Sequence, residues 1–144
     1  MEVKLGFKKL HPAAKLPKYA HDGDAGMDVC AVDRGVIFPN NRALVKTGLC
    51  AEIPHGYEIQ VRSRSGLALK QGVFVLNSPG TVDENYRGEI GVILMNLGNS
   101  DFKFEQGDRI AQLVLSPVTR AETFEVEEVS ETERGSGGFG STGV

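Results

Sequence analysis

The sequence predicts an all-β domain of barrel or jelly-roll type, and three observations carry that prediction. The 18 glycines and 6 prolines are spread along the chain, so tight turns recur throughout it. Apolar residues come in short runs, some alternating with polar residues at the two-residue period of a half-buried strand. A good helical stretch occurs once, over residues 65–71. A chain of 144 residues suits one domain and can bury a core without disulfides.

Taken in order, Val3, Leu5 and Phe7 share one face of a weak strand within residues 1–10. The segment holding Pro12, Pro17, Gly23 and Gly26 reads as loop. Val36, Ile37 and Phe38 run into a turn at Pro39-Asn40-Asn41. Residues 43–53 carry apolar positions at Leu44, Val45, Leu49 and Ile53 and stop at Pro54-His55-Gly56. Tyr57, Ile59 and Val61 then alternate with Glu58, Gln60 and Arg62, a clean half-buried strand. SGLALKQ at 65–71 makes about two helical turns, and Gly72 follows where a left-handed C-terminal residue belongs. Residues 73–76 read as strand, and the nearly continuous apolar run 90–97 as a strand buried on both faces. Residues 109–118 and 123–129 complete a set of roughly eight short strands, the pattern of a barrel or jelly-roll-like sandwich.

Composition narrows the functional classes. The net charge of −3 comes without a basic stripe, which argues against a nucleic-acid partner. An anionic ligand would need a local cluster of donors. No stretch approaches the ~20 apolar residues of a membrane span, and the opening MEVKLGFKKL holds no signal-like apolar run. A soluble cytoplasmic protein is expected. Cys30 and Cys50 form no metal-ligand pair by spacing and read as free thiols.

Five segments could carry chemistry. Asp24 and Asp28, separated by Ala25-Gly26-Met27, could meet a hard cation such as magnesium, or could simply form turns. Arg62-Ser63-Arg64-Ser65-Gly66 lies where a strand ends and the helix begins. A helix N-terminus binds phosphate readily, and Arg64, Ser65 and Gly66 supply a charged fork, a hydroxyl and close backbone approach. Capping by Ser63 or Ser65 is the plainer reading. NSPGTVDENYRGEIG, residues 77–91, is a hairpin-like loop. There Asp83 could act as a general base and Tyr86 could stack on a ligand, unless the loop is only a solvated acidic turn. Gln112 interrupts the apolar stretch after Gly107-Asp108-Arg109 and needs partners if buried. Residues 135–144, GSGGFGSTGV, contain five glycines and cannot build a core. They could wrap phosphates, but the lysine of a P-loop is absent. The preceding stretch 122–133 carries six glutamates and reads as a solvated strand face and connector.

Together, in this order and spacing, the five segments resemble the motifs of the trimeric dUTPase family. The dCTP deaminases, similar in fold, lack this arrangement. The resemblance implies a jelly-roll β-barrel over 1–133 with a flexible arm, 134–144, that closes an active site. It implies a homotrimer with sites shared between subunits, dUTP as substrate, magnesium as cofactor, and dUMP and diphosphate as products. Carried over by position, Asp28 would hold magnesium through water. Arg64, Ser65 and Gly66 would grip phosphate, and Gln112 would bond a phosphate oxygen. Asn77, Gly80, Thr81, Val82 and the backbone on to Gly91 would read the uracil edge. Asp83 would activate the attacking water, and Tyr86 would pack under the deoxyribose and exclude a 2′-hydroxyl. Arg134 would meet the γ-phosphate, with Gly138 beside Phe139, which would stack on uracil.

Overall fold

The computed structural model describes residues 2–143; Met1 and Val144, the outer ends of the expected domain and arm, lie outside the described residues. Among the described residues the chain forms eleven strands and one helix. The order is β1 (Gly6–Lys9), β2 (Met27–Cys30), β3 (Gly35–Ile37), β4 (Arg42–Lys46), β5 (Leu49–Glu52), β6 (Tyr57–Arg62), α1 (Ser65–Gln71), β7 (Val73–Val75), β8 (Gly80–Val82), β9 (Gly91–Asn96), β10 (Phe102–Phe104) and β11 (Arg109–Pro117). All paired strands are antiparallel.

The ladders fall into four sheets: β2-β11-β6-β8, β4-β9-β7, β1-β5 and β10-β3. This is the expected jelly-roll arrangement, with sheets packed face to face and no single ladder running round a closed cylinder. Between them lies one core, in which Val29, Leu49, Ile59, Val92, Leu94, Ile110 and Leu113 are essentially inaccessible. β6 and β9 bury alternate residues, as the two-residue period requires.

Several elements differ from the sequence reading. The run 43–53 splits into β4 and β5 because Thr47-Gly48 turns the chain, Gly48 having φ of 68°. Strands β2, β8 and β10 occupy segments too short and too interrupted to show a period. In β10, Phe102 and Phe104 are buried with rings 6.1 Å apart. The run 90–97 is not buried on both faces. Val92, Leu94 and Asn96 point into the core, while Ile93 and Met95 are half-buried on the outside, because a sheet of three strands here covers the core with one face only. The strand expected at 123–129 is absent, and residues 118–143 form no strand. A strand exists only with a ladder partner, and this glutamate-rich segment lies free of the sheets, with Phe124 and Val129 more than four-fifths exposed.

Helix α1 forms where expected and ends on Gly72, whose φ of 66° lets its N–H reach back to the last turn. A Cβ there would press on the backbone of Gly98 at 2.8 Å. Its N-cap is Arg64, with no side-chain cap, so neither Ser63 nor Ser65 closes the helix start. The Ser63 hydroxyl instead accepts the Val75 N–H at 2.9 Å.

Candidate active site

Two cavities gather most of the residues singled out by the sequence. The first, of about 400 Å³, is lined by Asp24, Gly26, Asp28, Arg64, Ser65, Gly66 and Gln112, with Ala20, His21 and Ala25. Central strand β11 explains the convergence. Its Gln112 sits opposite Asp28 of β2 on one side and opposite Arg62 of β6 on the other. β6 then delivers Arg64, Ser65 and Gly66 at its end. Asp28 meets Arg64 Nε at 3.3 Å and Arg109 Nη1 at 3.4 Å. The Gln112 amide points toward the Ser63 carbonyl, and a Cβ at Gly26 would collide with the Gln112 side chain.

This chamber suits a phosphate chain. It holds an arginine fork, a hydroxyl, an amide and the uncapped N–H groups that open a helix. Arg109, which sequence reasoning passed over, borders the chamber through Asp28 and lines the adjoining hollow instead. It lay inside a quoted segment, but only the β2–β11 register brings it to Asp28.

A divalent cation fits the same chamber on its donor chemistry. Asp28 presents hard oxygens, its side chain one-fifth exposed. Among the described residues no three potential ligands cluster. Magnesium bound through one carboxylate, waters and substrate phosphates needs no protein cage.

The second cavity, of about 180 Å³, is lined by Thr81, Val82, Asp83, Tyr86, Glu89, Ile90 and Gly91. It sits in the loop between β8 and β9. The Tyr86 N–H bonds the Asp83 carbonyl at 3.1 Å, and the Tyr86 hydroxyl bonds the Glu89 carbonyl at 2.9 Å. Those bonds curl the loop round a pocket with an exposed carboxylate at its rim. Gly88 is tight against the Tyr86 ring, so the turn leaves no space for a side chain there. Asn77 stands close to Gly80 at the start of β8 and lines neither cavity.

The two cavities lie at opposite ends of β6. Val82 pairs with Ile59, so Asp83 falls beside Glu58, while Arg64 lies beyond the other end of the strand. Six residues of extended chain span on the order of 20 Å. One chain therefore does not place Asp83 against its own phosphate turn. The arm reaches neither cavity. Phe139 is fully exposed with φ of 49°, Gly138 is half-buried within the arm, and Arg134 Nε bonds the nearby Gly137 carbonyl at 2.8 Å.

Titration sets two further groups apart. A hydrogen bond from the Gly56 N–H and another from His55 hold the Glu84 carboxyl below its ordinary value. Burial pushes the Cys30 thiol up despite nearby Lys15.

The dUTPase family matches residues 13–143 of the chain. A deoxyuridine 5′-triphosphate nucleotidohydrolase from a Picosynechococcus species is 59% identical over 94% of this chain and 96% of its own. One from Helicobacter pylori is 56% identical over 99% of this chain and 98% of its own. Among solved structures, the fold superposes on a Staphylococcus bacteriophage 80alpha dUTPase with dUpNHpp at a TM-score of 0.91, with 31% identity over 98% of this chain and 99% of that one. A phage phi11 dUTPase, described with a structural Mg(II) ion, superposes at 0.81 with 26% identity over 88% of this chain and 98% of that one. Fold and relatives define a jelly-roll nucleotide hydrolase. The chain belongs to the dUTPase family.

Proposed function

We propose that this dUTPase hydrolyses dUTP to dUMP and diphosphate by magnesium-assisted attack of water on the α-phosphorus, in sites that three subunits build together. The observation that carries the shared site is the separation along β6. A base that activates water at the α-phosphorus must lie within hydrogen-bond reach of that water. Asp83 stands on the order of 20 Å from the Arg64 turn of its own chain, so it would serve the phosphate chamber of a neighbour.

In that assembly Arg64, Ser65, Gly66 and Gln112 of one subunit would bind the phosphates. The loop of a second would bind the nucleoside, with Asn77, Gly80, Thr81, Val82 and the backbone at Gly91 reading uracil. Uracil presents acceptor, donor and acceptor along its pairing edge. Cytosine presents a different order, and mismatched buried polar groups are costly. Tyr86 would pack under the deoxyribose, leaving no place for a 2′-hydroxyl. Asp83 would take the proton from the attacking water. No side chain in the phosphate chamber is arranged as a covalent nucleophile, and direct attack needs none. Magnesium, when bound, would neutralise charge on the phosphate oxygens, with Asp28 holding it through water.

The third subunit would contribute residues 134–144. Arg134 would meet the γ-phosphate, Gly138 would let the backbone approach, and Phe139 would cover the base. An arm so free of its own domain can close over a neighbour's substrate and exclude bulk water. No helix among the described residues is long and apolar enough to cross a membrane, and a cytoplasmic setting suits a nucleotide substrate.

The test is diphosphate release from dUTP, dCTP, dTTP and UTP with and without magnesium, alongside Asp83→Asn. Selective release from dUTP is expected. The variant should bind a non-hydrolysable dUTP analogue within a few-fold of wild type while kcat falls about 100-fold or more. Wild-type turnover in the variant removes Asp83 as the base.

A further inference from the structure

The loop that carries Asp83 and Tyr86 contains two glutamates that the proposed chemistry leaves unused, Glu84 and Glu89. Both are partly buried, and both leave the loop to grip other turns. Glu84 Oε2 accepts the Gly56 N–H at 2.6 Å, and its Oε1 lies 2.9 Å from His55 Nδ1. Glu89 Oε2 accepts the Gly48 N–H at 3.2 Å. Gly48 and Gly56 flank β5, one before it and one after. Both are left-handed, with φ of 68° and 83°, which favours glycine at each site. The Glu89 side is reinforced where the Thr47 hydroxyl bonds the Ile90 carbonyl at 2.6 Å and the Ile90 N–H bonds the Leu49 carbonyl at 2.7 Å. The loop thus straddles β5, with one carboxylate fastened beyond each end of that strand.

We propose that Glu84 and Glu89 are positioning residues, a two-point clamp that fixes the loop so that Asp83 and Tyr86 are already in place when substrate arrives. The proposal rests on the reading of Asp83 as base and Tyr86 as sugar gate. A carboxylate on a backbone N–H is among the stronger hydrogen bonds available at a surface turn. Glu84 is bonded directly to Asp83 in the chain, so freeing it releases the base by the shortest route. Glu89 offers its carbonyl to the Tyr86 hydroxyl, so freeing it releases the gate. The two ends of the clamp therefore predict different kinetic losses.

The test uses the full-length enzyme with magnesium. Glu84→Ala should lower kcat about tenfold and leave KM for dUTP within about twofold. Glu84→Gln should recover most of that loss, since its amide oxygen still accepts the Gly56 N–H. In an Asp83→Asn background Glu84→Ala should cost nothing more, because the clamp acts through the base. Glu89→Ala should reduce the preference for dUTP over UTP about fivefold, and Glu89→Gln should restore it. If Glu84→Ala does not fold, Glu84→Asp, which keeps charge but loses reach, should show the kcat loss instead. Wild-type kcat in Glu84→Ala, or the same fractional loss with and without Asp83, overturns the Glu84 half. Unchanged sugar preference in Glu89→Ala overturns the other. Full turnover in Asp83→Asn alone would fell the base assignment separately and leave the clamp to stand or fall on the Glu89 result.

Discussion

At the scale of single residues, Glu84 shows how one carboxylate links stability to pH. Its carboxyl lies below the ordinary value of 4.5 because the folded state offers the Gly56 N–H and the His55 ring, with Arg120 adding a weaker attraction. Desolvation of the carboxylate works the other way and is outweighed. For a depressed carboxyl, the stabilisation is complete above the unfolded-state pKa and is lost as pH falls through the folded-state value. Replacing Glu84 with glutamine should therefore flatten the acid limb of the stability curve below about pH 4.5, measured by thermal melts at a series of pH values. An unchanged acid limb would show that this group carries none of the pH dependence. The composition of the loop disclosed its charges, but not where they go. Gly48 and Gly56 precede Glu89 and Glu84 by 41 and 28 residues, and no local spacing connects them.

At the scale of elements, β9 shows the limit of reading an apolar run. Asn96 sits in that run and is completely buried. Its amide donates to the Ile37 and Ser100 carbonyls at 2.8 and 2.9 Å, and its carbonyl accepts the Gly98 N–H at 2.8 Å. One side chain thereby ties three segments together. Asn96→Leu should destabilise the protein by about 2–4 kcal/mol, chiefly by leaving those buried backbone groups unpaired; denaturant melts would measure it. A cost under about 0.5 kcal/mol would mean that water replaces the amide. The arm is the opposite case. Its glycine content reads as mobility in the sequence, and its residues line neither cavity of their own chain. Deleting residues 134–144 should leave the melting temperature within a degree or two while nearly abolishing turnover. Collapse of the assembly on deletion would instead make the arm structural.

At the scale of the whole molecule, the outer face of β4-β9-β7 bears Leu44, Phe74, Leu76, Ile93 and Met95. Leu44 is 63% exposed and lies opposite Ile93. Arg42 and Lys46 flank these apolar residues on the same face, a polar-rimmed patch of the kind that suits the subunit contact proposed above. Burial of the 90–97 run on both faces, expected from its composition, is met on one face only, by the core. If the sites are shared as proposed, Leu44→Asp should yield a smaller species in analytical ultracentrifugation, with native-like circular dichroism and little dUTP turnover. Full activity in a monomer would refute sites shared between chains.

The sequence by itself determined the fold class and the lone helix with its glycine stop, because turn chemistry and strand period are local properties, while the candidate site segments came from the resemblance of five motifs in order along the chain. Tertiary structure alone decided which segments share a cavity, since that follows from register. Gln112 opposite Asp28 builds one chamber, and Val82 opposite Ile59 carries Asp83 away from it. It alone showed that the 123–129 segment finds no partner strand in its own chain and that the loop glutamates reach across β5. Strand pairing and hydrogen bonding over long separations depend on the packed chain as a whole, and no window of the sequence contains them.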